Sequence, residues 1–188
     1  VKYFTVVLVA NFVQMLVVLP AILLVKGINP LKVARAMSPA LAVAFFSKSS
    51  AATLPVTINS AETRAGVSPE VSRFVLPICT TINMNGCAAF ILVTVVYLMQ
   101  NAGVEVGAGT MLVWVLIATL AAVGNAGVPM GCFFLSASLV ASMGLPITLM
   151  GVILPVYAVI DMIETTLNVW SDSTVSVMVD QDMKKAQA

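Results

Sequence analysis

Charged side chains are scarce in this chain of 188 residues: only 9% are charged, with 9 Lys or Arg and 8 Asp or Glu, while 60% are hydrophobic. A soluble domain usually carries about 25% charged residues, so this chain cannot cover a water-facing surface. The mean hydropathy of +1.06 agrees with that conclusion. The net charge of +1, without a basic patch interleaved with aromatics, excludes a nucleic-acid-binding protein. These shortages predict an integral membrane protein whose solvent is the lipid bilayer.

Histidine is absent and cysteine is rare, which narrows the possible chemistry. Without histidine, His-based catalysis and most transition-metal sites are excluded. Cys79, Cys87 and Cys132 lie in apolar or re-entrant stretches and form no Cys-x-x-Cys pair. The sequence therefore predicts neither a disulfide framework nor a zinc site. We also expect no catalytic residues and no organic cofactor.

The first apolar stretch, residues 1–26, predicts a transmembrane helix, because Tyr3 to Val25 holds no charge and about 20 residues cross a bilayer. It has neither the charged start nor the small-residue cleavage site of a signal peptide. The chain also opens without methionine, so we expect it to begin inside a larger protein, with helices of that protein preceding it.

Interrupted apolar segments follow, and they predict an all-α integral membrane fold with an inverted repeat. Residues 27–64 and 107–145 each contain two arms too short to cross a bilayer around a polar or Gly-rich turn, which is typical of a re-entrant helical hairpin. Residues 66–104 predict a broken transmembrane helix and residues 147–180 the last one. With the first hairpin rooted in the cytoplasm, most basic loop residues lie inside, as the positive-inside rule requires.

The predicted last helix carries a polar stripe. At 100° per residue, its polar side chains fall within about 60° of Asp161. They are Asp161, Glu164, Thr165, Asn168 and Asp172. A carboxylate at mid-membrane costs roughly 2.5–3.5 kcal/mol, so three of them need partners or water. The stripe indicates a binding site, although a helix that only lines a solvated bundle interior would show the same pattern.

Polar interruptions in the other segments indicate ion and substrate binding. Residues 83–86, Asn-Met-Asn-Gly, fall inside a predicted span, where unwound backbone and amide oxygens would suit a hard cation. A simple kink is the alternative. The two hairpin turns would present helix N-termini, whose free N–H groups favour an anionic substrate group such as a carboxylate.

The four polar segments resemble, in order and spacing, motifs of the dicarboxylate/amino-acid:cation symporter family, which includes the glutamate transporters. Residues 49–57 are similar to its serine-rich first hairpin, and residues 83–87 resemble its Asn-Met-Asp-Gly-Thr signature. Residues 124–129 resemble the tip of its second hairpin. Residues 161–172 match its Asp-x-x-Arg-Thr-x-x-Asn-x-x-x-Asp pattern except at the arginine.

The resemblance implies an amino-acid site and assigns residues to it. Asp161 would bind the substrate's amino group, and Thr165 and Asn168 would bind its amino and carboxylate ends. The two hairpin tips would enclose the substrate through their backbone. The implied substrate-binding residues are Ser49, Ser50, Met84, Cys87, Val128, Asp161, Glu164, Thr165 and Asn168.

The resemblance further implies two sodium sites and a trimer. The first site would comprise the Cys79 carbonyl, Asn83, Asn168 and Asp172, and the second Thr81 with the backbone of Ala122, Val123 and Asn125. The family works by an elevator movement of this domain against a trimeric scaffold. We therefore expect a homotrimer in the lipid bilayer, and no transport by these residues alone.

Two departures from the family pattern affect the expected substrate and coupling. Asn85 stands where the signature has aspartate, which removes support for a third sodium site. Glu164 stands where members with acidic substrates have arginine. Bacterial serine/threonine symporters of the family resemble this chain at that position, so we expect a neutral amino acid and a bacterial inner membrane.

Several alternatives stay open at this point: a symporter for acidic amino acids or C4-dicarboxylates, coupling to protons in place of sodium, and a substrate-gated ion channel. An intramembrane aspartyl protease fits poorly. Asp161 and Asp172 lie about 16 Å apart on one helix at 1.5 Å per residue. One helical stripe also does not clamp a peptide from both sides.

Overall fold

The computed structural model describes residues 2–187, apart from the side chain of Leu149, and these residues form helices joined by short turns. The predicted all-α fold is confirmed, since no strand occurs in this described range. The helices are α1 (Lys2–Val13), a π segment (Gln14–Val18), α2 (Leu19–Val25), α3 (Pro30–Ser47), α4 (Ser50–Ser60), a π segment (Ala61–Ala65), α5 (Pro69–Ile82), α6 (Asn85–Asn101), α7 (Ala108–Val123), α8 (Gly131–Ser142) and α9 (Thr148–Gln187).

Within the described residues, three stretches are long and apolar enough to cross a membrane, judged by length and composition: Lys2–Val25, Pro69–Asn101 and Met150–Gln187. The first contains the π segment Gln14–Val18, whose Met15 carbonyl accepts a hydrogen bond from Trp170 Nε1 of α9 (3.2 Å). The last continues beyond the predicted end at residue 180 as one helix. α7 and α8 are apolar too but shorter.

Two turns separate helices where the sequence predicts the tips of hairpins. α3 ends at Lys48, which adopts the left-handed conformation (φ 55°), and the Ser49 side chain then caps α4 by accepting from the Ala52 N–H (3.1 Å). Between α7 and α8, Ala126 and Met130 also have positive φ. A helix cannot continue through such residues, so each turn reverses or redirects the chain. That these pairs are re-entrant in a membrane stays a prediction.

The long span Pro69–Asn101 is broken between α5 and α6. Asn83 and Met84 are non-helical (ψ 66° and 63°), and α6 resumes at Asn85. Gly86 lies so close to α9 that an added Cβ would stand 2.9 Å from the Glu164 Cα. The break therefore brings unwound backbone directly against the polar stripe of α9.

α9 joins two apolar cores. Its Tyr157 packs on Phe90 of α6 and Phe133 of α8, with ring centroids 4.7 and 5.4 Å away. Further along, Leu167 and Trp170 belong to a second buried cluster with side chains from α2 to α5. The polar residues between Asp161 and Asp172 thus lie at the junction of both cores, shielded from solvent.

Ion pairs gather at one end of the molecule, where the C-terminal part of α9 meets α2 and the segment around the second π helix. The pairs are Lys26–Asp182 (2.7 Å), Arg73–Glu62 (2.9 Å) and Lys184–Asp180 (2.6 Å). Hydrogen bonds from Arg73 and Ser72 hold the pKa of the Glu62 carboxyl below its ordinary value. That this end of the molecule faces the cytoplasm stays a prediction.

Candidate functional site

The two predicted tips touch each other directly. Ser49 Oγ donates to the Gly127 carbonyl (2.9 Å), and the Ala51 N–H donates to the same oxygen (3.4 Å). Gly127 has φ +66°, and a Cβ there would stand 2.9 Å from the Thr80 carbonyl oxygen and 3.3 Å from the Ala51 nitrogen. Only glycine tolerates both the positive φ and these short distances, so Gly127 allows the two tips to approach this closely.

A small polar cavity of about 10 Å³ lies beneath the meeting tips. A cavity of that size holds about one water molecule. Most of the predicted substrate-binding residues line it, together with Lys48, Asn125 and Gly127. Those predicted residues are Ser50, Met84, Cys87, Val128, Asp161, Thr165 and Asn168. Ser49 lies in the tip contact above, and Glu164 lies outside the lining.

Asp161 is the carboxylate that faces this cavity, and it is buried. The Met130 N–H, just before α8, donates to its Oδ2 (3.3 Å), and the Tyr157 hydroxyl donates to its Oδ1 (3.5 Å). Within residues 2–187 no Lys or Arg lies within ion-pair distance of it. The negative charge therefore lacks a strong internal partner and can receive an ammonium group.

Glu164 lies behind the cavity and is 1% exposed. Its Oε2 lies 3.4 Å from the Tyr157 hydroxyl, whose single proton it shares with Asp161, while its Oε1 has no hydrogen-bond partner among the described residues. Tyr157 thus connects Asp161 and Glu164. Its place four residues before Asp161 puts it on the polar stripe, and that spacing could have revealed it in the sequence.

A second polar group surrounds Asp172, which is also buried and lacks an ion-pair partner in the described part of the chain. Asn83 Nδ2 donates to its Oδ1 (3.0 Å) and to Ser171 Oγ (2.9 Å). The Cys79 carbonyl accepts from the Asn83 N–H (2.8 Å). The structure brings these predicted ligands of the first sodium site together around the broken helix.

Asn168 lines the cavity and lies one turn of α9 before Asp172. Its Oδ1 accepts from the Gly86 N–H (2.9 Å), and its Nδ2 points to the sulfur atoms of Met84 (3.4 Å) and Cys87 (3.5 Å). The unwound segment is therefore held against α9 by the side chain predicted to serve both substrate and cation.

The second predicted sodium site is less assembled. Thr81 is exposed and its hydroxyl donates to the Ile78 carbonyl (2.8 Å). Ala122 is buried, whereas Val123 is 41% exposed, and the Asn125 side chain turns towards two sulfur atoms. That the backbone of Ala122, Val123 and Asn125 binds sodium together with Thr81 stays a prediction.

Cys87 and Cys132 form a disulfide, so the prediction of no disulfide is wrong for this pair. The two residues are 45 positions apart, and no spacing motif indicates the pairing. They meet because the starts of α6 and α8 pack side by side under the second tip. Asn125 Nδ2 donates to both sulfur atoms (3.1 and 3.4 Å), and a Glu164 carboxylate oxygen lies within 4.8 Å of both. Cys79 is a free, buried thiol.

Comparison with known protein families places this site in context. The sequence profile of the sodium:dicarboxylate symporter family matches residues 1–182. The chain belongs to the sodium:dicarboxylate symporter family. The resemblance indicated by the four motifs is therefore confirmed. Membership shows a transporter-family protein and not an enzyme, so the aspartyl protease alternative is wrong.

Relatives of this symporter-family chain include both excitatory and neutral amino acid transporters by name. Human excitatory amino acid transporter 3 is 34% identical over 184 residues, covering 97% of this chain and 35% of that protein. Bovine neutral amino acid transporter A is 36% identical over 173 residues (92% and 33%). An excitatory amino acid transporter of Caenorhabditis elegans is 36% identical over 172 residues (91% and 34%).

The symporter-family chain spans about a third of the length of these curated relatives. Its family and its apolar spans make it part of an integral, multi-pass membrane protein. The expected bacterial inner membrane finds no support here, because the relatives are animal proteins.

Proposed function

We propose that this chain is the substrate- and ion-binding part of a sodium-coupled symporter for a neutral amino acid. The observation that carries the proposal is the position of Asp161. This buried carboxylate faces a cavity closed by two touching tips and has no basic partner within ion-pair distance in residues 2–187. A substrate ammonium group would complete its hydrogen bonding with a charge-assisted contact.

The substrate's α-carboxylate would find complementary groups at the first tip and further along the stripe of α9. Ser50 opens α4, and Thr165 and Asn168 present a hydroxyl and an amide on the stripe of α9. Helix N-termini leave N–H groups that favour anions. An amino acid would thus lie with its ammonium towards α9 and its carboxylate towards the first tip.

Glu164 favours a neutral side chain over an acidic one. It adds a second buried carboxyl group close to Asp161, with an oxygen that lacks a partner among the described residues. A substrate carboxylate placed nearby would meet repulsion or an unmatched acceptor. By analogy with unpaired buried charges, we expect a penalty of roughly 2–4 kcal/mol.

Lys48 supports a second candidate, an acidic amino acid or C4-dicarboxylate symporter. It lines the cavity from the first tip and forms no ion pair within residues 2–187. Its ammonium could pair with a substrate carboxylate. We favour the neutral substrate, because Asp161 lines the same cavity as Lys48 and Glu164 adds a second buried carboxyl group behind it.

Asp172 is the proposed centre of the sodium site. A buried carboxylate with only neutral oxygen and amide neighbours requires a cation or a proton to offset its charge. Carboxylate and carbonyl oxygens suit a hard cation such as sodium. Asn83, Asn168 and the Cys79 carbonyl would complete the coordination.

Movement of the second tip is part of the proposal, because a cavity of about 10 Å³ is too small for an amino acid. The tip would act as a gate, and the domain would then move as an elevator against a trimeric scaffold. The side of the first span, Lys2–Val25, that faces away from the core is apolar and exposed, with Val6 at 52% and Leu16 at 66%, and would face lipid or that scaffold.

The decisive experiment is uptake of a panel of labelled amino acids by the full-length protein in proteoliposomes, with and without an inward sodium gradient. We expect serine, threonine or alanine to accumulate only with sodium. Accumulation driven equally well by a proton gradient would overturn sodium coupling. Currents that persist without any substrate flux would favour the channel alternative.

A further inference from the structure

The Cys87–Cys132 pair links the broken span to the start of α8, directly after the tip that the proposed function treats as a gate. Cys87 lies in the first turn of α6, within the broken span, and Cys132 lies in the first turn of α8, directly after the second tip. Both are at most 2% exposed, and their Cα atoms are 5.5 Å apart, within the range that disulfides require.

The sulfur pair also belongs to the wall of the candidate pocket. Cys87 lines the cavity, and Asn125, which lines it too, donates to both sulfur atoms. Asn168 Nδ2 points at Cys87 from the other side (3.5 Å). A covalent bond here therefore links the start of α6, which lines the pocket, to the start of α8, which directly follows the second tip.

We propose that Cys87 and Cys132 are a reversible thiol–disulfide site that controls the opening of the second tip. This inference rests on the proposed function for its effect on transport. The tips otherwise meet through hydrogen bonds such as Ser49 Oγ to Gly127, which can break and reform. A disulfide between α6 and α8 breaks only on reduction, so the oxidised protein keeps the small cavity closed to an amino acid.

The oxidation requires a two-electron oxidant, for which we name hydrogen peroxide. One thiolate attacks the peroxide: an S–O bond forms, the O–O bond breaks, and one water leaves. The second thiolate attacks that sulfur, so that the S–S bond forms, the S–O bond breaks and a second water leaves. The two thiols together lose two electrons and two protons, and the peroxide is reduced to two waters. A dithiol reductant reverses the reaction by two exchange steps.

The test uses the full-length protein in lipid nanodiscs and proteoliposomes, treated with hydrogen peroxide or with dithiothreitol. Free thiols are alkylated under denaturing conditions, and mass spectrometry identifies the peptides linked through Cys87 and Cys132. Amide hydrogen exchange of residues 124–131 reports the opening of the tip without any need for transport. We expect exchange there to be at least about tenfold slower after oxidation, since a tethered segment opens less often.

Sodium-driven uptake is measured on the same samples, and we expect oxidation to lower it roughly tenfold or more and reduction to restore it, because lid opening limits such cycles. Cys132→Ser should make both exchange and uptake insensitive to peroxide, with Cys132→Ala as the second variant if serine does not fold. Ser136→Ala, one turn along α8 and equally buried, is the matched control and should stay peroxide-sensitive.

Three outcomes would overturn the inference: folded protein in which peroxide yields no Cys87–Cys132 linkage, linkage that leaves exchange at 124–131 unchanged, or Cys132→Ser protein that remains equally sensitive. If the Cys87–Cys132 linkage slows amide exchange at 124–131 but neither the oxidised nor the reduced protein transports an amino acid, the disulfide does control the tip and the proposed function is wrong.

Discussion

Glu164 is the residue whose charge most directly shapes the proposed selectivity. Replacing it with arginine should shift preference towards acidic substrates, because a guanidinium can pair bidentately with a carboxylate. We expect aspartate to compete for serine uptake at least about tenfold better in Glu164→Arg, a change of about 1.4 kcal/mol. Competition against labelled serine measures this.

Glu164→Gln is the control for that substitution, since it removes the charge and keeps the shape of the side chain. It should weaken discrimination against aspartate without favouring acidic substrates. If aspartate outcompetes serine on the unmutated protein, the selectivity hypothesis is wrong.

Asp172 is the residue on which the proposed sodium site depends. Asp172→Asn removes a charged hard-cation ligand that is surrounded only by neutral groups, so sodium affinity should fall by at least about tenfold. The measurement is the sodium dependence of substrate binding by the full-length protein.

Asp182→Asn provides the matched control, because this aspartate lies on the same helix but pairs with Lys26 at the charged end. It should leave sodium affinity unchanged. Equal sodium affinity in Asp172→Asn would show that the ion binds elsewhere.

The second tip is the element whose geometry leaves least room for change. Gly127→Ala would place a Cβ 2.9 Å from the Thr80 carbonyl oxygen in a backbone with φ +66°. The left-handed conformation alone costs roughly 1–2 kcal/mol for an L-residue. The new Cβ would also push the second tip away from α5 and from the Ala51 nitrogen of the first tip, 3.3 Å away. We expect substrate affinity to fall about tenfold or more, measured by isothermal titration with the transported amino acid.

Gly144→Ala separates the two causes, because Gly144 follows α8 with φ +68° but has open space around it. It should cost similar backbone strain and leave substrate affinity intact. Equal losses in both variants would mean that strain, and not the approach of the tips, explains the effect.

At the scale of the whole molecule, Asn85 bears on how many ions move per substrate. It lines a separate cleft of about 470 Å³ with Gln14 and Asn83, at the start of α6. We infer that an amide there supports one coupled sodium fewer than the aspartate that the family signature has. Asn85→Asp should therefore raise the sodium-to-substrate flux ratio by about one ion, since it adds a charged hard-cation ligand.

Dual-label flux of radioactive sodium and substrate in proteoliposomes measures that ratio. Asn101→Asp, an exposed change at the far end of the same helix, is the control and should not alter it. An identical ratio in Asn85→Asp would remove the role assigned to Asn85.

The sequence by itself determined that the protein lies in a membrane, that it is helical and that its last helix carries a polar stripe. Scarce charge leaves no way to cover a water-facing surface, and 3.6-residue periodicity places Asp161, Asn168 and Asp172 on one face whatever surrounds the helix. The breaks at Lys48 and Asn83–Met84 were also predictable, because polar residues interrupt apolar arms too short to cross a bilayer.

Only the tertiary structure decided which of these groups meet. Two contacts join segments that are distant in sequence: the hydrogen bond between Ser49 and Gly127 and the Cys87–Cys132 disulfide. The packing also places Glu164 behind the cavity and outside its lining. Periodicity fixes the face of one helix but carries no information about the partner across a packed interface. Those contacts depend on how α6, α8 and α9 pack around Tyr157, which is a property of the assembled core.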